Sequence, residues 1–243
     1  MADAPPTSLD ALIDTLQHAH RRAGLIDATP WAAAVTTEAD AYAVQAGVAQ
    51  ALGWPRDRWK SGGAGLQGPF SHSPVAPTPG RDLLGIEAEV ALRLARDVTP
   101  EDAQGPLDAS LIDGLCIAVE CIASRWAQAL DAPALLRMAD FQSNAGLLTG
   151  PWQPWQALDW ARLGWRLALP GQPVIERRGG HSLADPAGVL PAWLRHATRH
   201  GDTVKAGTVV TTGAWGGVHP CPGSPRGTLA IEGLGEFSFS ATA

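Results

Sequence analysis

Lysine is nearly absent from this chain. Of its 18 Lys and Arg side chains only Lys60 and Lys205 are lysines. Arginine therefore serves as the general surface cation, and each retained lysine raises a question. Arg keeps its proton near neutral pH, whereas Lys is a compact ammonium that burial can tune. Lys205, in the turn-like GDTVKAGTVV, reads as an accident of composition. For Lys60 a functional role and an accident are both open. Cysteine is scarce as well. The three, Cys116, Cys121 and Cys221, are odd in number and form no C-x-x-C. That argues against a disulfide framework and points to reduced thiols in a cytoplasmic compartment. Positive charge is in deficit, with a formal net charge of −6, so general nucleic-acid affinity is not expected. No apolar run reaches the roughly 18 residues of a membrane-spanning helix. The N-terminal MADAPPTSLDALIDTL lacks the basic segment and apolar stretch of a secretory signal. Neither H-E-x-x-H nor a cysteine pair offers zinc a site.

What is present suits a globular protein: 243 residues, 45% hydrophobic and 17% charged. Leu9, Leu12, Ile13 and Leu16 recur at helical spacing, with Gly24 as a stop. TTEADAYAVQAGVAQALG reads as a second helix, capped by Thr37 or Thr36 and ended by Gly53. From Trp54 to Arg81 the chain is rich in Gly, Pro and Ser and reads as an irregular segment wrapping a site. A strand at 83–96 follows. DASLIDGLCIAV reads as a helix that leads into a short strand, VECIASRW. APALLRMAD reads as a helical turn and NAGLLTG as a strand. LGWRLALPGQPVIERRGG is a hairpin turning at Pro170-Gly171. Asp185 caps a helix that Gly201 ends, and TVVTTGAW and LGEFSFSA are the last strands. Helices gather early and strands dominate from residue 83, an α+β order without βαβ alternation. Residues 1–80 form the N-terminal helices and wrapping segment, and 81–243 a β-rich core, within one compact unit.

The run LLGIEAEVALRLARDV carries the chemistry. Leu84, Ile86, Ala88, Val90, Leu92 and Leu94 share one phase, and Glu87 and Glu89 take the other. On a strand the two carboxylates project from one face, about 6–7 Å apart. They repel one another unless solvent or a cation intervenes. An exposed face with two solvated acids is the plain alternative. Glu120, in the apolar CIAVECIAS, is a third carboxylate that burial would penalise unless it is paired or metal-bound. Three carboxylates around one hard cation is the oxygen-rich chemistry of Mg²⁺ or Mn²⁺.

These segments together resemble a known group. GIEAEVALRLARDV, followed some thirty residues later by the glutamate of AVECIASRW, resembles the 2-keto-4-pentenoate hydratase and 2-oxo acid decarboxylase group of the fumarylacetoacetate hydrolase superfamily. AYAVQAGV, RWKSGG, MADFQSNAGLLTG, GDTVKAGTVVTTGAW and GLGEFSFS resemble further segments of that group, in the same order. The resemblance implies a mixed β-sandwich or β-roll with helices packed outside. It implies that Glu87, Glu89 and Glu120 hold Mg²⁺ or Mn²⁺ and that Lys60 is an active-site lysine. Ser143 and Thr212 fall in segments that line the group's substrate pocket. The implied activity is hydration of a 2-hydroxy-2,4-dienoate in aromatic catabolism, by a homo-oligomer. Alternatives on the same scaffold are a 2-oxo acid decarboxylase, an acylpyruvate-type hydrolase, or a silent oxoacid-binding or partner subunit.

The sequence departs from the group's pattern in several places. Ala123 stands where an Asp is common, Phe141 replaces an Asn, and Ser224 replaces an Asp. The loop LQGPFSHSPVAPTPG lacks the group's paired acids and has His72 as its only titratable side chain. His72 is thus the candidate acid–base, against the alternative of a solvated loop histidine. Arg125 and Asp140 are candidates for substrate binding or for bracing the pocket. His18, His20, His196 and His200 read as surface residues. The cluster of Trp152, Trp155, Trp160 and Trp165 reads as core or subunit interface.

Overall fold

The computed structural model describes residues 8–22, 24–63, 70–77, 83–107, 109–183 and 185–240. Two helices open it. Helix α1 spans Leu9–Arg22 and buries Leu12, Leu16 and Ala19, one stripe at helical spacing. Helix α2 spans Glu38–Leu52. Its start is a capping box: the Thr37 hydroxyl accepts from the Asp40 amide and the Asp40 carboxylate accepts from the Thr37 amide. Its end is Gly53 at φ +65°, the left-handed turn that glycine adopts without strain. A third short helix, α3, spans Ala134–Ala139. These pack with Trp31, Trp126 and Phe141 into a helical core of their own. A fourth helix, α4 at Leu190–Ala197, packs against the sheet core instead, through Leu190, Trp193 and Leu194.

The segment after α2 is not irregular throughout. It holds strands β1, Arg58–Gly63, and β2, Phe70–Pro74, paired antiparallel. The parts of the wrapping segment at 64–69 and 78–82 lie outside the described residues. Strand β3 runs Leu83–Leu94. The expected helix at DASLIDGLCIAV is instead a short 3-10 turn leading into β4, Ile112–Ile122. Nearly every residue of β4 is buried, so no polar face marks it as a strand. Its pairing with β3 settles its conformation. Strand β5 is Asn144–Thr149, β6 Gly164–Ala168 and β7 Ile175–Arg178, the last two being the expected hairpin. Strands β8 (Val209–Thr211), β9 (Trp215–Gly223), β10 (Arg226–Ile231) and β11 (Gly235–Ser240) complete the chain.

The strands form two sheets. The larger has the order β2-β1-β8-β3-β4-β5, with β9 also paired to β3; the smaller has the order β11-β10-β6-β7. Among the described strands, only β1 and β8 pair in parallel. Ile86, Ala88, Val90, Leu92 and Leu94 enter one core with Trp165, Leu167 and Leu229 of the smaller sheet. This is the expected mixed α+β architecture. Trp160 and Trp165 belong to that core, as one of the two readings of the tryptophan cluster had it.

The free edge of β3 is shared. Residues 83–88 pair with β9 and residues 91–93 with β8. The chain leaves the ladder at Thr212–Ala214, opposite Glu89 and Val90. Thr212 closes the gap by donating its hydroxyl to the Val90 carbonyl at 2.9 Å. The Gly213 amide then reaches Glu89 Oε2 at 3.3 Å, with Gly213 at φ +104°. A break in pairing thus opens the sheet beside the glutamates.

Candidate active site and metal centre

Glu87 and Glu120 are direct cross-strand partners on β3 and β4, and Glu89 faces Ala118 on the same side. Like charges directly opposite destabilise a sheet. Here they are also removed from water: Glu89 is 1% exposed and Glu120 0%. The ligand oxygens of all three lie within 4.8 Å of one another. Lys60 enters from β1 and donates from Nζ to Glu120 Oε1 at 2.6 Å. The Asn144 amide donates to the same oxygen at 3.0 Å. Asn144 is itself fixed, because its Oδ1 accepts from the amides of Ala76 and Gly146. Glu120 Oε2 is buried and has no hydrogen-bond partner. One lysine against three carboxylates, with an orphaned carboxylate oxygen in their midst, is a donor set that fits a hard divalent cation. The residues present can therefore hold the ion that the sequence leads one to expect.

The electrostatics follow from burial. The Glu87 carboxyl is pushed up to about 7, chiefly by desolvation, with Lys60 opposing and Glu120 adding. Glu89 is raised well above the usual range by burial and then by the charges of Glu120 and Glu87. Burial alone would lower Lys60. The charges of Glu120, Glu87 and Glu89 and the hydrogen bond to Glu120 outweigh it, so its pKa stands above the usual value. A cation must displace protons from such carboxyls. Mg²⁺ affinity is therefore expected to rise as pH passes upward through about 7, with proton release on binding. Calorimetry in buffers of different ionisation heat measures that release. Binding with no proton released at pH 7 counts against it.

The glutamates open into a pocket of about 480 Å³. Lys60, Glu87 and Glu89 line it from the sheet; Arg137, Gln142 and Ser143 line it from the helical side. The structure brings Lys60, Glu87, Glu89, Glu120 and Ser143 together. Ser143 is 1% exposed, and its hydroxyl has no partner. It is reached by an unusual backbone: Phe141, Gln142 and Ser143 have φ of +51°, +55° and +61°. Each left-handed non-glycine residue costs about 1–2 kcal/mol. Such strain persists where surrounding packing dictates it, and it gathers at ligand sites. Phe141 supplies the packing, fully buried against Trp54.

Other expected residues fall elsewhere. His72 is neither a solvated loop residue nor a lining residue of the pocket. It lies on β2, 4% exposed, with Nδ1 2.9 Å from Ser61 Oγ. Ser61 follows Lys60 on β1, so it and its cross-strand partner His72 occupy the opposite face from Lys60. Burial and the Arg199 charge lower the His72 pKa to about 4. His196, expected at the surface, packs its ring 4.9 Å from His72. Thr212 bonds Val90 and lies 3.2 Å from His181 Nε2, while its neighbours Gly213 and Ala214 line the pocket. His20 also departs from the surface reading, with Nε2 3.4 Å from Asp140 and its ring against Trp54.

Arg125 and Asp140 form a buried brace behind the pocket. Arg125 Nε donates to Asp140 Oδ1 at 2.5 Å, and its other nitrogens donate to the carbonyls of Asn144 and Asp140. The Arg125 amide donates to Asp140 Oδ2. Arg125→Met would strand a fully buried carboxylate, at a cost of about 3–5 kcal/mol. Urea denaturation reads that cost directly, and a change within error would show that the brace carries no load.

Sequence reading missed Arg137, Gln142, Asn144 and Ser182. Arg137 looks like the other arginines, and a left-handed turn without glycine leaves no trace in sequence. Ser182 lines the same pocket with an unpartnered hydroxyl.

A family model described as fumarylacetoacetate (FAA) hydrolase C-terminal matches residues 61–237. That span holds all three glutamates and begins one residue after Lys60. The chain is similar to the 4-oxalocrotonate decarboxylase of Pseudomonas putida G7 complexed with magnesium and adipate. The identity is 21%, the coverage 95% of each chain and the TM-score 0.74. The same decarboxylase complexed with calcium and acetate matches at 21% identity, 95% coverage of each chain and a TM-score of 0.70. A putative isomerase from Escherichia coli matches at 15% identity over 76% of this chain and 91% of its own, with a TM-score of 0.50.

Proposed function

The chain belongs to the fumarylacetoacetate hydrolase family, and from that premise we propose that it is a divalent-metal-dependent lyase acting on a 2-oxo or 2-hydroxy-dienoic acid. The observation that carries the reading is the convergence of Glu87, Glu89, Glu120 and Lys60 on one pocket. Magnesium with a small organic acid accompanies the similar decarboxylase, which agrees with that chemistry. Glu87, Glu89 and Glu120 would hold the cation. When bound, it supplies Lewis-acid polarisation of a 2-oxo group and neutralises the carboxylates.

Lys60 has the proton-handling part. Its ammonium is held by the three carboxylates against the pull of burial. Once their charge is neutralised, burial dominates and the ammonium can release a proton nearer neutral pH. It would then deliver a proton to, or take one from, the carbon chain of an enolised substrate. The strained turn at Gln142 and Ser143 orients the substrate, and Ile122, Met138 and Val218 supply apolar wall.

Two outcomes share the enolate. Hydration of a 2-hydroxy-2,4-dienoate needs a proton moved on carbon and a water activated. Decarboxylation of a 2-oxo-3-enedioate leaves a dienolate that needs one proton, on oxygen or on carbon, after CO₂ leaves. The turning of His72 away from the pocket favours the second: with the glutamates taken up as metal ligands, Lys60 is the acid–base side chain that remains next to them among the described lining residues, since Arg137 keeps its proton. The test is to supply 2-hydroxypenta-2,4-dienoate and, separately, a 2-oxo-3-enedioate with Mg²⁺. Ultraviolet loss of the dienoate supports hydration, and CO₂ release supports decarboxylation. Neither change, in a preparation that binds Mg²⁺, rejects both.

A further inference from the structure

The break in pairing beside Glu89 is unequal. On β3 it falls between Ala88, which pairs with Trp215, and Ala91, which pairs with Thr211. Thr212, Gly213 and Ala214 therefore stand against Glu89 and Val90, three residues against two. Such a bulge bends its strand, re-aims what it carries and leaves backbone groups outside the ladder. This one carries the Gly213 amide that donates to Glu89 Oε2, and Gly213 and Ala214 line the pocket. His181 holds it at both ends. Its backbone forms an antiparallel bridge with Trp215, just past the bulge, and its ring stands edge-on to the Trp215 ring at 4.8 Å. Its Nε2 lies 3.2 Å from Thr212 Oγ1, at the first residue of the bulge. The next residue, Ser182, closes on the middle: a Cβ added at Gly213 would meet Ser182 Oγ at 2.5 Å.

The proton count fixes how the link works. The Thr212 hydroxyl has one proton, and it goes to the Val90 carbonyl at 2.9 Å. His181 Nε2 is then the donor to Thr212 Oγ1. Nδ1 lies 3.0 Å from both the amide and the carbonyl of Leu183, and without a proton it accepts from the amide. The imidazole is neutral in this arrangement, and burial keeps it so by lowering its pKa. A relay thus runs from the Leu183 amide through His181 and Thr212 to the Val90 carbonyl, across the bulge.

We propose that His181 is a positioning residue of the metal centre: by clamping the bulge at Thr212 and Trp215 it holds the Gly213 amide on Glu89. This rests on the reading of the glutamates as a cation site. His181 is not among the residues that line the pocket, so it acts through Thr212 and Gly213 and not on substrate.

The test reads the clamp and the cation separately. In the metal-free protein, hydrogen exchange of the Gly213 amide should be slow in the wild type. It should be about 10-fold faster in His181→Phe, which keeps a ring against Trp215 but neither ring nitrogen, the usual weight of one lost hydrogen bond. His181→Gln, whose side-chain amide can donate to Thr212 in place of Nε2, should restore most of the protection. Calorimetry should show Mg²⁺ affinity about 10-fold weaker in His181→Phe, the lower end of what groups that orient a metal ligand are worth. In His181→Gln it should return towards the wild-type value. A merely structural histidine would lower the melting temperature of both variants and move neither readout. Should His181→Phe not fold, Thr212→Val cuts the same link from the other side and should show the same two losses. Gly213 exchange as slow in the variant as in the wild type overturns the proposal. So does faster exchange with unchanged Mg²⁺ affinity. A wild type that binds no Mg²⁺ overturns the cation reading and the proposal's tie to it, and Gly213 exchange then still judges the clamp by itself.

Discussion

Glu89→Ala is expected to cut Mg²⁺ or Mn²⁺ affinity by more than about 100-fold, since even groups that only support a ligand are worth 10- to 100-fold. Turnover should vanish with the ion. The reason is geometric. Glu89 shares one face with Glu87 and Glu120, all within 4.8 Å, and the Gly213 amide holds its Oε2 in place. The fold should survive, because the opposite face of β3 keeps Ile86, Ala88 and Val90 in the core. Stability carries a second expectation. Glu89 is a buried acid whose ionised form is disfavoured by burial and by its neighbours. Its removal therefore relieves desolvation and repulsion in the metal-free protein. The metal-free melting temperature should not fall, while the rise that Mg²⁺ gives the wild type should disappear. Calorimetric titration and paired thermal melts decide both points. A folded variant with unchanged affinity would remove Glu89 from the ligand set.

Lys60→Arg is the second large effect. A loss of about 100-fold or more in rate is expected, the usual weight of general acid–base assistance. The Lys60 ammonium is buried and 2.6 Å from Glu120 Oε1. A guanidinium is broader than that site admits and cannot give up its proton. Lys60→Met should lose at least as much. It also removes the single cation among three acids, so the metal-free protein should bind protons more readily. Mg²⁺ binding should persist in both variants, because the glutamates are untouched. Rate on a dienoate or enedioate at saturating Mg²⁺ is the readout, with a melt to verify folding. An Arg variant of near wild-type rate would reduce Lys60 to a positive charge. An active Met variant would remove it from the chemistry.

Local signals made part of this legible in advance. The N-cap expected at Thr37 or Thr36, the glycine at 53 and the hairpin at 164–178 each leave a residue-level signature, and each formed, the cap at Thr37. Glu87 and Glu89 stood out because period-two alternation exposed them on one phase. Other parts had no such signature. Strand β4 is buried on both faces, so its apolar run carries no period, and only its pairing with β3 makes it a strand. Strands β1 and β2 hide in a Gly- and Ser-rich stretch, and β1 takes one of its partners, β8, from some 150 residues away. His72 looked catalytic by elimination, yet one residue of register decides its face, and that register is a tertiary fact. Lys60 was conspicuous by rarity. Arg137 is one of many arginines, and only its unpartnered nitrogen in the cavity distinguishes it.

The central claim is that the three carboxylates and Lys60 make one site for enolising a 2-oxo acid. Solvent deuterium exchange at C3 of 2-oxoadipate, followed by proton NMR, tests it without assuming which product forms. The account predicts rapid loss of the C3 signal with wild-type protein and Mg²⁺. It predicts exchange at the buffer rate when Mg²⁺ is chelated, or when Glu89→Ala or Lys60→Met replaces the wild type. Exchange at the same rate with and without Mg²⁺, or undiminished in both variants, would contradict it.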